Sequence, residues 1–117
     1  MFKEIGQLAG LFTQLPKIKE EMERLQQRLG QISAEGDAGA GMVKARVNGR
    51  FELLSCTISE EAAKLNDREM LEDLIVAAVN QATSKARHQA AEETGKMAAA
   101  LGLPPGMNLP GLSLPGA

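Results

Sequence analysis

The stretch Gly39-Ala-Gly-Met-Val-Lys-Ala-Arg-Val-Asn-Gly49 constrains the fold more than any other part of this chain. Val43, Ala45 and Val47 alternate with Lys44, Arg46 and Asn48, which is the period of a half-buried strand. Gly39 and Gly41 allow a bend before the strand, and Asn48-Gly49 opens a hairpin after it. The strand lies between two segments of helical periodicity. The order is therefore helix, small antiparallel sheet, helix.

In the first helical segment the apolar residues are Leu11, Leu15, Ile18, Met22, Leu25 and Leu29. Their steps of four and three form a narrow heptad stripe, suited to packing against one other helix. Residues 1–12 read as an apolar, glycine-containing lead, and Pro16 is expected in the first turn of a helix running from Leu15 to Gly30. A helix starting earlier would be kinked at Pro16. Residues 31–37 have room for a first strand.

Side-chain pairing favours a three-residue hairpin loop, Val47-Asn48-Gly49, with Gly49 left-handed in a bulge. That register pairs Ala45 with Phe51 and Val43 with Leu53. It sets Lys44 opposite Glu52 and leaves Arg46 opposite Arg50 on the outer face. Cys56 and Ile58 then fall out of phase, which a second bulge near Leu54-Ser55 would cure. Asn66-Asp-Arg-Glu69 resembles a capping box with Asn66 as the cap. After it, Leu71, Leu74, Ile75, Ala78, Val79 and Ala82 form the apolar face of a long helix, continued thinly by Ala86 and Ala90. Gly102 and Pro104 stop that helix.

Length sets one domain over residues 1–101, followed by a Pro/Gly-rich, uncharged tail over 102–117 that is expected to be irregular. With three Phe and neither Tyr nor Trp, the core must be aliphatic. One Cys excludes an intrachain disulfide, and one His excludes a His-rich metal site. Cys56 is expected to be a buried small apolar residue, and the Met residues core and interface filler. No apolar run is long enough for a signal peptide or a membrane span, which makes the cytoplasm the default. No nucleophile–base pair, phosphate loop or metal-ligand spacing is present, so an enzyme is not expected, and no cofactor, metal or small-molecule substrate is implied.

Net charge is −2, so nucleic-acid binding would need a local cluster of cations. The acidic excess lies in residues 59–101, and the middle of the chain is slightly basic. On a helix Lys17, Arg24 and Arg28 fall within about 40° of one another, off the apolar stripe. Phosphate binding needs such exposed cations, although Glu21 shares the strip. The alternative is a solvated helix face supported by Glu20–Arg24. Lys44, Arg46 and Arg50 lie on the exposed side of the hairpin in the preferred register. The alternative is that these long side chains extend into water. Lys85 and Arg87 point about 160° apart and form no single patch.

Four pieces together resemble the YbaB/EbfC family of small bacterial nucleoid-associated proteins. They are Gly39-Ala-Gly-Met-Val-Lys44, Val47-Asn-Gly49, Glu69-Met-Leu-Glu-Asp-Leu-Ile-Val-Ala-Ala-Val-Asn80 and Gly102-Leu-Pro-Pro-Gly-Met107. The resemblance implies a two-layer α+β fold with an N-terminal helix, a three-stranded antiparallel sheet and a long C-terminal helix. It also implies a tight homodimer with helices protruding like tweezers, binding to double-stranded DNA with little or modest sequence preference, and links to recombination and repair proteins. The residues independently favour a dimer, because the heptad stripe and a sheet edge both need a partner. The first helix folding back on the second within one chain is the alternative. An adaptor for recombination, repair or replication machinery, with weak DNA contact, is the competing function.

Overall fold

A computed structural model describes residues 2–102, with side chains from Thr13 onward. The elements are α1 (Phe2–Gln31), β1 (Ser33–Ala38), β2 (Val43–Asn48), β3 (Leu53–Ile58), α2 (Glu60–Lys64) and α3 (Arg68–Ala100). The sheet is an antiparallel meander in the order β1-β2-β3. The architecture is thus the expected α+β one. The tail beyond residue 102 and the side chain of Leu11 lie outside the described residues.

α3 packs on β1 and β2 and only grazes β3. Ala78, Ala82 and Ala86 recur every four residues along the helix and are fully buried against Ala34, Val43, Ala45 and Val47. Small side chains on both layers let the helix come close to the sheet. Closest of all is Gly36, where an added Cβ would collide with the Ala78 carbonyl and the Ala82 amide. The second cluster joins the helices: Leu25 and Leu29 of α1 pack on Ala90 and Met97 of α3. Phe51 touches both clusters. Because the helices meet only near these residues, the molecule is elongated, 71 × 21 × 16 Å.

α1 begins at Phe2, not at Leu15, so the expected non-helical lead is helical and Pro16 sits well inside the helix. Pro16 is exposed. It removes one intrahelical hydrogen bond, and its exposed position lowers the usual cost. Among the described residues, the end of the heptad stripe is the part buried within the chain. Leu25 and Leu29 are buried, while Leu15 and Met22 remain exposed.

The hairpin register differs from the expected one. Val43 pairs with Ile58, Lys44 with Thr57, Ala45 with Cys56, Arg46 with Ser55 and Val47 with Leu53. The bulge predicted near Leu54-Ser55 is present, since the pairing skips a residue there. The loop is longer than three residues because Asn48 organises it. Its Oδ1 accepts from the Arg50 amide at 2.9 Å and the Glu52 amide at 3.0 Å, and its Nδ2 donates to Glu52 Oε1 at 2.9 Å. The left-handed residue is Phe51 (φ 63°), not Gly49. Gly49 is required for a different reason. Its amide donates to the Leu29 carbonyl at 2.9 Å, and a Cβ there would lie 2.6 Å from that oxygen.

Two helix starts also differ from expectation. Asp67, not Asn66, caps α3 by accepting from the Met70 amide at 3.1 Å, and Asn66 takes the left-handed conformation before it (φ 50°). The five-residue α2 was not expected; Ser59 caps it by accepting from the Ala62 amide.

Candidate nucleic-acid interface

Three of the six candidate cations lie on α1. Lys17 is exposed and, among the described residues, takes part in no ion pair. Arg24 is exposed but is held by Glu20 at 2.7 Å and Glu21 at 3.0 Å. Arg28 is partly buried. Its Nε lies 3.2 Å from Glu93 Oε2 on α3, close enough for an ion pair but misaligned for a hydrogen bond. Lys96 reaches the other oxygen of Glu93 at 3.4 Å. The shared strip on α1 thus exists, but two of its three cations already face carboxylates. A paired, half-exposed arginine contributes little net field to an approaching anion.

The other three arise from the hairpin. Lys44 and Arg46 project from the side of the sheet opposite α3. There Lys44 stands between Asp37 and Thr57, and Arg46 between Glu35 and Ser55. The expected Arg46–Arg50 and Lys44–Glu52 juxtapositions do not form, because the loop is longer. Neither Lys44 nor Arg46 makes an ion pair among the described residues, although both face a carboxylate-bearing neighbour on β1. Arg50 turns away from this face, and its Nη2 donates to the Gln26 carbonyl at 2.9 Å, tying the hairpin tip to α1.

Other charged groups fall outside that set. Lys19 and Lys64 are exposed and unpaired among the described residues. The α1 strip missed Lys19 because it lies about 160° around the helix from Lys17. Lys64 ends α2, whose only sequence signal is a Ser59 cap. Lys85 and Arg87 point apart, as the helical period requires. Lys85 donates to the Glu35 carbonyl at 3.0 Å, and the Arg87 guanidinium stands 5.8 Å from the Phe51 ring centroid.

The naked side of β3 is apolar. Leu53, Leu54 and Ile58 are 51%, 52% and 42% exposed. Cys56 is exposed rather than buried, because α3 does not extend over this strand. Among the described residues no group of three or more His, Cys, Asp or Glu could hold a metal ion, and no helix is long and apolar enough to cross a membrane.

Comparison with known proteins gives a consistent result. A nucleoid-associated protein of Granulibacter bethesdensis is 46% identical over 103 residues, covering 88% of this chain and 96% of the relative. A nucleoid-associated protein of Syntrophobacter fumaroxidans is 43% identical over 103 residues, 88% of each chain. The crystal structure of an uncharacterised Helicobacter pylori protein aligns with a TM-score of 0.64 at 25% identity, over 79% of this chain and 94% of that one. The YbaB/EbfC DNA-binding family matches residues 4–101, and this chain belongs to it.

Proposed function

We propose that this protein binds double-stranded DNA as a homodimer, through exposed lysines and arginines and with little or modest sequence preference. It acts in the cytoplasm on the nucleoid, with effects on nucleoid organisation and gene expression. Membership in a DNA-binding family over nearly the whole chain carries this reading. The charge distribution supports a non-uniform contact. With a net charge of −2, the molecule as a whole repels a polyanion, so binding must run through a surface where cations outnumber their local carboxylates. The candidates are Lys17, Arg24, Arg28, Lys44, Arg46 and Arg50, of which Lys17, Lys44 and Arg46 are the least committed to other partners.

A dimer is supported by what one protomer leaves open. The exposed Leu53, Leu54 and Ile58 lie along a sheet edge, a combination that a lone soluble chain avoids. Pairing two copies doubles the cation set without new residues. Gel retardation across a salt series tests the reading. Retardation should weaken steeply as salt rises. Absence of retardation at low salt, or indifference to salt, would refute it.

A second reading is an adaptor for recombination, repair or replication proteins, with weak DNA contact. The engagement of Arg24, Arg28 and Lys96 by carboxylates favours it, as do the exposed Leu65 and Val76. Co-purification of such a protein that survives nuclease treatment would support it.

A further inference from the structure

The two edges of the sheet are finished differently. Two side chains of α3 cover the outer edge of β1: Gln81 Oε1 accepts from the Asp37 amide at 2.6 Å, and Lys85 Nζ donates to the Glu35 carbonyl at 3.0 Å. Gln81 and Lys85 are four residues apart, so they stand one above the other on the helix. They reach the strand because Gly36, lying between Glu35 and Asp37, lets the α3 backbone settle onto β1. In an antiparallel ladder the residues that point outward alternate with those that bond the neighbour. Glu35 and Asp37 are the outward pair at the centre of β1, and half of their four backbone groups are taken by these side chains.

On β3 no such cover is present among the described residues. The same alternation, carried across β2, turns the Cys56 amide and carbonyl toward the open edge. The sequence of β3, Leu-Leu-Ser-Cys-Thr-Ile, has no charge, so an antiparallel copy of itself brings no like charges together. β1, Ser-Ala-Glu-Gly-Asp-Ala, would bring its carboxylates face to face.

We propose that Gln81 and Lys85 seal the β1 edge so that strand pairing between copies can occur only through β3, where a second copy of this chain docks. A molecule with two open edges would grow into an open-ended ribbon, and one with a single open edge stops at two. The proposal rests on the homodimer reading above and adds what limits it. Sealing by side chains costs little, since both bonds sit at an exposed edge, and it uses no extra chain.

Sedimentation measurements on the full chain and on the Gln81→Ala/Lys85→Ala variant, with far-UV circular dichroism to confirm equal helix content, test it. The parent should show a mass twice 12.4 kDa that does not rise with concentration. At high salt, where the repulsion between Glu35 and Asp37 of facing β1 strands is screened, the variant should rise beyond two chains as concentration increases. A parent that stays a single chain overturns the dimer reading. A dimeric parent whose variant at high salt keeps the same mass at every concentration overturns the seal. Amide exchange gives an independent readout that needs no assembly. The Asp37 amide should exchange at least about tenfold faster in Gln81→Ala than in the parent, and equal rates overturn the seal.

Discussion

The salt dependence of DNA binding separates the free cations from the paired ones. Each phosphate neutralised on B-DNA releases counterions and adds about 0.9 to the slope of log K against log salt. Lys17, Lys44 and Arg46 have no ion-pair partner among the described residues, although Lys44 and Arg46 stand opposite Asp37 and Glu35, so each can reach a phosphate without breaking an ion pair. In a dimer they number six, and if all six touch phosphate they supply a slope of about 5. Replacing them with Ala should therefore flatten the slope by up to about 5. Over a fourfold change in salt, that removes up to about a thousandfold of the salt sensitivity. Arg24 and Arg28 behave differently. Each brings carboxylates with it, Glu20 and Glu21 in one case and Glu93 in the other. To reach a phosphate they must leave those partners, and the carboxylates left behind repel the DNA. The Arg24→Ala/Arg28→Ala variant should flatten the slope by about 1 or less. Fluorescence anisotropy with a short mixed-sequence duplex, at several salt concentrations, measures both slopes. If the paired-arginine variant flattens the slope more than the free-cation variant, ion pairing within the protomer does not decide which residues contact DNA, and the argument fails.

Further outcomes follow from the same contacts. Glu93→Gln removes a negative charge and releases Arg28 and Lys96, so DNA affinity should rise several-fold at low salt; a loss of affinity in the anisotropy assay would contradict this. Asn48→Ala strips the Arg50 and Glu52 amides of their acceptor in a partly buried loop and should cost about 1–3 kcal/mol, read as a lowered urea midpoint. Gly36→Val forces a side chain against the α3 backbone and should cost about 3 kcal/mol, more than the same change at the open Gly95, in parallel urea titrations. Leu54→Glu/Ile58→Glu puts carboxylates on the naked face of β3 and should yield single chains on sedimentation with helix content retained; an unchanged dimer would place the contact elsewhere.

The parts of this fold that local pattern determines were legible in the sequence. The alternation of Val43 through Val47 marks a strand, and the four-residue spacing of Ala78, Ala82, Ala86 and Ala90 marks the buried face of α3. The hairpin register was not legible, because a tertiary contact and a side chain set it. Leu29 of α1 draws in the Gly49 amide, Asn48 holds two further amides, and Phe51 takes a left-handed backbone with its side chain packed, partly buried, against both clusters. The start of α1 was hidden for a related reason. Pro16 disrupts a helix most where the missing hydrogen bond cannot be replaced, and its exposed position lowers that part of the penalty.

The candidate interface divides along the same line. Which cations are exposed follows from helical and strand periods, and Lys17, Lys44 and Arg46 stand where those periods put them. Which cations are already spoken for depends on residues far away in sequence, as Glu93 does for Arg28 and the Gln26 carbonyl for Arg50. An acidic chain in a DNA-binding family therefore has to be judged by its unpaired cations rather than its net charge. Two protomers joined along β3 would carry Lys44 and Arg46 twice on the sheet face that α3 leaves bare, and Lys17 twice on α1. In the homodimer proposed above, twofold assembly is the step that would turn a sparse, locally balanced surface into one able to hold a phosphate backbone.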